Sequence, residues 1–300
     1  MIKFLLDLYD STKRFIRDIY RHIEKRINKK FILYSAIVLA VLIISIIVIN
    51  SIPKAIDYEV AIKPFKDNGM VTVGLKDDMG GFSTYDEETD SYIGLDADLS
   101  NEIIRRLFDG TDILINQIGV DSKSGRVNII REDADLVFAQ YIYEDDDDIS
   151  YTDPYFTDSV AFFAPEDGID SIAEVSGKKI GVVSGSYAGN NLSKFFEGKN
   201  IDCEILTYAS YPDVFNAMTR GKIDAVAAGS VMINKYVTEG NISGRMLEGT
   251  ILPHGYTIAY SSSNPELGRA LNEIISKLKE DGTLKELIAK WGLNEFQYGS

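Results

Sequence analysis

The sequence predicts an α/β protein preceded by one transmembrane helix. Three observations carry this. Strand-like and helix-like segments alternate from about residue 70 to residue 290, an order that layers helices on mainly parallel sheets. The run Phe31–Ile49 holds nineteen residues without a charge. At about 1.5 Å per helical residue it reaches roughly 28 Å, close to the hydrocarbon core of a bilayer. The charge is also divided. Residues 1–30 carry nine Lys/Arg against Asp7, Asp10, Asp18 and Glu24, a net +5, so the remaining chain must sum to −20 for the total of −15.

The basic leader comes first. Leu8, Phe15, Ile16, Ile19, Ile23 and Ile27 recur at three- and four-residue steps with bases between them, the pattern of an amphipathic helix with a cationic face. Such a helix lies on anionic lipid or docks a cytoplasmic partner, and the lipid is the simpler of the two. The apolar run follows, and a transmembrane helix is expected over 31–52. A cleaved secretory signal would need a shorter apolar run and a small-residue cleavage site, and Asn50-Ser51-Ile52-Pro53 is not one. An uncleaved anchor is therefore expected. By the positive-inside rule it is a single pass in the cell membrane, with residues 1–30 cytoplasmic and residues 54–300 outside. Residues 53–67 are expected as a linker.

In the outer part, Met70–Leu75 is expected as a strand and Asp98–Phe108 as a helix, with apolar residues at Leu99, Ile103, Ile104, Leu107 and Phe108. Asp112–Ile118 alternates as a strand and Asp135–Ala139 as a buried one. Then come strand Lys179–Val183, helix Ala188–Phe196, strand Ile205–Tyr208, helix Pro212–Thr219 and strand Asp224–Ala228. The end, Asn264–Trp291, is an amphipathic helix broken at Asp281-Gly282.

Several classes of function are excluded. An acidic body lacks the clustered Lys/Arg that phosphate neutralisation requires, so no nucleic acid is expected as a partner. Cys203 is the single cysteine and cannot form an intramolecular disulfide. His254 is the one histidine outside the leader, and no metal cluster or nucleophile elbow is present, so no catalytic residue, metal or cofactor is expected.

The order of motifs resembles the polar amino-acid (family 3) solute-binding proteins of ABC importers, which have the type II periplasmic-binding fold. Tyr92-Ile93-Gly94-Leu95-Asp96-Ala97-Asp98-Leu99 is similar to the family's "G-F-x-x-D-L" helix entry. Asp135-Leu136-Val137 and Tyr151-Thr152-Asp153-Pro154-Tyr155 are similar to its "DLV … FSDPYY" block. Gly177–Ser186 is similar to "GKKIGVxxGS", Gly221–Val226 to "GRVDAV", and Asp281–Gly292 to the closing "DGTLxxLxxKW". Arg126 and Tyr211-Pro212 resemble the glutamate/aspartate/glutamine branch. The resemblance implies two α/β lobes: lobe 1 over 68–158 plus 262–300, lobe 2 over 165–255, with hinge strands near 159–164 and 256–261. A solute would sit between lobes that close on it.

The resemblance also names a site, and the sequence departs from it. The arginine that grips a ligand carboxylate falls on Asp147, and the aspartate that grips an ammonium falls on Gly229, followed by Ser230. Gly185, Ser186 and Tyr187 sit where a strand runs into a helix, whose free N–H groups either hold an anionic or carbonyl group or are simply capped. Phe82 is a ligand wall or a core residue. Arg126 contacts a side-chain carboxylate or lies on the surface. Gln140 and Tyr141 would face the cleft. The acidic run 144–148 lacks calcium-loop spacing and reads as a solvated loop. The expected function is a membrane-anchored receptor delivering a small, polar, amino-acid-like solute to an ABC permease and ATPase. A sensory ectodomain or a receptor that no longer binds are the alternatives, and nothing bears on oligomeric state.

Overall fold

The computed structural model describes residues 2–26, 29–51, 55–76, 78–120 and 133–293, with side chains given for 9–22 and 33–47 of the first two helices. Residues 1–55 and 56–300 form two separate compact units.

The first unit is two helices, α1 (Ile2–Arg26) and α2 (Lys29–Ser51). The described side chains of α2, from Leu33 to Ile47, are exposed throughout, with Leu33, Val38, Leu42 and Ile46 each more than half so. Among the described residues no helix is long and apolar enough to cross a membrane. The span expected over Phe31–Ile52 is therefore not borne out as a structural finding.

The second unit opens with α3 (Tyr58–Asn68), where a linker was expected. Asp57 accepts from the Val60 N–H at 3.1 Å and Gly69 closes the helix at φ 71°. Ala61, Ile62 and Phe65 fall on one face and are buried. That apolar stripe makes the segment part of the core rather than a tether.

Lobe 1 holds β1 (Met70–Lys76), β2 (Asp78–Met79), β3 (Ser83–Asp86), β4 (Ser91–Ile93), α4 (Leu95–Leu107), β5 (Leu114–Val120), β6 (Leu136–Tyr141) and β7 (Ile149–Tyr151). β1 lies between β5 and β6, parallel to both. β8 (Phe156–Ala164) then enters lobe 2, which contains β9 (Lys179–Val183), α5 (Tyr187–Lys199), β10 (Glu204–Tyr208), α6 (Tyr211–Thr219), β11 (Ala225–Gly229), α7 (Ser230–Gly240) and β12 (Arg245–Met246). β13 (Ile251–Ser261) returns to lobe 1, where α8 (Pro265–Glu280) and α9 (Thr283–Lys290) close the fold. The sheet order is β10-β9-β11-β8-β13-β6-β1-β5.

Burial explains why lobe 2 forms. Ile180 and Val182 of β9, Ala225 and Ala227 of β11, and Val160 and Phe162 of β8 pack on the α5 side with Leu192 and Phe196. Their strand neighbours Val183, Val226, Ala228, Ala161 and Phe163 pack on the other side with Val214, Phe215 and Met218 of α6. A strand buried on both faces must be apolar at every position, which is the pattern of a parallel sheet covered by helices. In lobe 1, Asp98 accepts from Lys290 Nζ at 2.6 Å and Trp291 Nε1 at 2.7 Å, tying α4 to the end of α9.

The two lobes meet at β8 and β13. β13 pairs with β8 through His254–Tyr256, then with β6 through Thr257–Tyr260, and its register shifts on each side of this handover. Such irregularities bend and twist a strand, which lets one strand serve two sheets. The first crossing strand begins at Phe156, earlier than the 159–164 expected, so Asp158 belongs to it.

Candidate functional site

Four elements converge where the lobes join. β9 and β11 end in tight turns into α5 and α7, so both helices present their N-termini at the same edge of lobe 2. Gly185, at φ 65°, makes the first turn. Ser186 caps α5: its Oγ accepts from the Gly189 N–H at 3.0 Å and donates to the Val183 carbonyl at 2.7 Å. The second turn has no such cap, because Gly229 carries no side chain.

Asp158, on β8, does the work that Gly229 cannot. Its side chain is 0% exposed. Oδ1 accepts from the Ser159 N–H at 2.8 Å, the Ser230 N–H at 3.1 Å and the Ser230 hydroxyl. Oδ2 accepts from the Tyr256 hydroxyl at 2.8 Å, and His254 Nε2 stands 3.9 Å away. A buried carboxylate is tolerable only with such donors, and at the start of α7 it also meets the positive end of the helix. Burial pushes the Tyr256 hydroxyl well above its ordinary pKa, and the charge of Asp158 adds to the shift. Burial likewise moves Tyr211, which hydrogen-bonds with Ser186, up to about 12.

A second buried carboxylate lies on the lobe 1 side. Asp96, in the first turn of α4, is fully buried; it accepts from Tyr155 Oη at 2.8 Å and Gln140 Nε2 at 2.7 Å. Burial raises its pKa to about 7, with the two hydrogen bonds and Lys76 pulling the other way. Gln140 takes a φ of 50°, a left-handed conformation that costs energy without glycine. Phe82 is fully buried, edge-on to Phe156 at 5.0 Å and to Tyr256 at 5.6 Å.

The structure thus sets Ser230 and Gly229 against Asp158, links Ser186 to it through Tyr211 and Tyr187 through His254, and sets Gln140 against Asp96. The Tyr187 ring lies 4.3 Å from that of His254. Tyr141 is buried and packs on Tyr151 at 5.7 Å. Asp147 is exposed, and its carbonyl accepts from the Ser262 hydroxyl. Arg126 lies outside the described residues. In the acidic run, Asp146 Oδ1 accepts from the N–H groups of Asp148 and Ile149, a local turn, and no metal-holding group occurs among the described residues. Sequence reasoning missed Asp96 and Asp158. For Asp158 the signal was Gly229 itself: a Cβ there would come within 2.7 Å of Oδ2.

Residues 71–294 match the bacterial extracellular solute-binding proteins, family 3. The chain belongs to this family. It is a family of binding proteins rather than of enzymes. The ABC transporter arginine-binding protein 1 of Escherichia coli is 23% identical over 203 residues, covering 66% of this chain and 81% of that protein. The L-cystine-binding protein TcyA of Bacillus subtilis is 24% identical over 231 residues, covering 75% and 82%. Among solved structures, holo ArgBP from T. maritima superposes with a TM-score of 0.57 at 22% identity, over 77% of this chain and 99% of that one. A Streptococcus pneumoniae substrate-binding protein with bound histidine gives 0.59 at 19% identity, over 76% and 94%. These likenesses establish the two-lobed periplasmic-binding fold.

The geometry of the solute-binding protein's joint makes one stability prediction. Gly229→Asp would press a second carboxylate against Asp158 Oδ2, and a loss of about 2 kcal/mol is expected in urea denaturation. Adding Asp158→Ser should recover most of it. An unchanged single variant would show that the turn has room the distances deny.

Proposed function

We propose that this protein captures a small polar solute of amino-acid type outside the cell, delivers it to an ABC permease and ATPase, and is held to the membrane by α2. One observation carries the capture: two helix N-termini and the carboxylate of Asp158 meet at the joint of the two lobes. A solute bridging that joint would hold the lobes together. Support for the importer comes from relatives named for arginine and cystine, one of them as part of an ABC transporter. The glutamate/aspartate/glutamine branch has less support. Of its two pointers, Arg126 lies outside the described residues and Tyr211-Pro212 opens α6; a buried carboxylate also disfavours an anionic solute.

The anchor is supported by the uncharged run Phe31–Ile49 and by the exposed apolar side chains of α2. Exposed Leu, Ile and Val in such number favour an apolar surrounding. The basic leader then stays inside and the binding unit outside.

Two measurements test this. Thermal unfolding of the full chain in detergent, with each amino acid at about a hundred times its dissociation constant, should show about 2.7 kcal/mol of stabilisation for a true ligand. If no amino acid or amine shifts the transition, capture is refuted. Cys203 is half-buried and serves as a native reporter of topology. A membrane-impermeant maleimide should label it in intact cells at pH 8; labelling only after lysis would refute the outside placement.

A further inference from the structure

We propose that α1 docks on a bilayer surface of anionic lipid, its apolar face set into the headgroup boundary and its bases over the lipid charges. The inference goes beyond solute capture and concerns a segment that capture does not use.

The helix is one uninterrupted run, Ile2–Arg26. At about 100° per residue its described side chains divide into two faces. Phe15, Ile19, Ile16, Tyr9 and Tyr20 follow one another round one side, in an arc of roughly 140°. Lys13, Arg17, Arg21 and Arg14 follow round the other, with Asp10 among them and Asp18 at their far edge. Tyr9, Phe15, Ile16 and Tyr20 are each more than half exposed, and Ile19 is 43% exposed. A broad face of aromatic and branched side chains therefore lies open, which marks a surface made to be covered. Lys13 stands at the seam between the faces. Its Nζ lies 5.6 Å from the centre of the Tyr9 ring. The stem of the lysine thus runs beside apolar surface while its charge stays at the boundary, the posture of a base at a membrane interface.

Two features choose lipid over a protein. The first is the width of the face. A partner helix in a coiled coil uses a seam of about two positions in seven. This face is broader, and it carries aromatic rings at both margins, Phe15 on one and Tyr9 and Tyr20 on the other. Rings at that level suit the headgroup layer, where one end of the side chain is wet and the other dry. The second feature is charge. From Tyr9 to His22 four bases stand against two acids, and the leader as a whole is net +5. The rest of the chain sums to −20 and is repelled by an anionic surface. Attraction to anionic lipid must therefore come from this helix and its neighbours in the leader.

The test places the full chain in lipid nanodiscs of phosphatidylcholine, alone or mixed with phosphatidylglycerol. Trypsin cleavage after Arg14, Arg17 and Arg21 is followed by mass spectrometry. Cleavage is expected to be at least about tenfold slower in the mixed discs, because a docked helix hides these bonds. Ile16→Asn with Ile19→Asn keeps all three cleavage sites and removes the centre of the apolar face. It should be cut as fast in mixed discs as in phosphatidylcholine alone. Circular dichroism checks the helix; if the double variant loses it, the wild-type comparison between the two lipids decides alone. Equal cleavage of wild type in both lipids overturns the proposal and leaves a protein as the partner of this face. Protection that persists in the helical variant overturns it too. Retention in the discs reports the α2 anchor separately. A chain that elutes only with mixed discs keeps this proposal and refutes the anchor. A chain held by both discs but cut equally in them keeps the anchor and refutes this proposal.

Discussion

Gly94→Ala is expected to cost about 4 kcal/mol and to lower the thermal midpoint of the binding unit by roughly 8–16 °C. The glycine precedes α4 at φ 132°, where an L-residue is strained. A Cβ there would come within 2.2 Å of the Phe82 carbonyl oxygen, 2.5 Å of its carbon and 2.8 Å of Ser83 N. All three are backbone atoms, so no side-chain rotation relieves the clash. The backbone cannot yield cheaply either. The Leu95 N–H donates to Gly81 O at 2.9 Å and the Asp96 N–H to Phe82 O at 2.8 Å, so the loop is fastened to the helix it would have to leave. Backbone strain contributes about 1–3 kcal/mol and overpacking a similar amount.

A control separates the two terms. Gly110, at φ 73°, has nothing within 4 Å of its would-be Cβ. Gly110→Ala should cost about 1 kcal/mol, the conformational part alone. Urea denaturation of both variants measures the difference. If Gly94→Ala is no worse than Gly110→Ala, the approach of the Phe82 loop to α4 is not rigid. Loss of this contact would also shift Asp96, which the same first turn of α4 carries.

Much of this architecture was legible because it depends on periodicity. β9, α5, β10 and α6 differ from their expected bounds by no more than a few residues, since alternation and helical spacing are local properties of the chain. At α3 a linker was expected over 53–67, yet Asp57, Ala61, Ile62 and Phe65 already held a cap and an apolar face. Tertiary packing decided between the two. The site was less legible. Asp96 sits within a motif that identifies the fold, so it reads as structure, and Asp158 falls between such motifs, just before the expected hinge. Their partners, Gln140, Tyr155, Ser230 and Tyr256, are brought together by pairing between distant strands, which spacing along the chain does not encode. The acidic run drew notice by composition alone, and it is exposed but for Asp146, whose side chain closes a local turn.

Asp96 carries the second large expectation, a dependence of stability on pH. Its pKa moves from 3.8 to about 7 because burial disfavours the anion more than Tyr155, Gln140 and Lys76 favour it. Between pH 4 and pH 7 the native protein therefore keeps a proton that the unfolded chain has released. Stability then falls as pH rises through this window and is level above it. About three units at 1.4 kcal/mol each gives a loss of about 4 kcal/mol from pH 4 to pH 8 on account of this one group. Asp96→Asn stays neutral at every pH, and its amide can still accept from Tyr155 while the Gln140 amide turns to present its oxygen. The variant should match wild type near pH 4 and exceed it by up to about 4 kcal/mol at pH 8. Chemical denaturation at the two pH values measures this, and taking the difference between variant and wild type cancels the other titrating groups. An equal difference at both pH values would mean that Asp96 ionises in the native state as freely as in the unfolded chain, the favourable contacts then offsetting its burial.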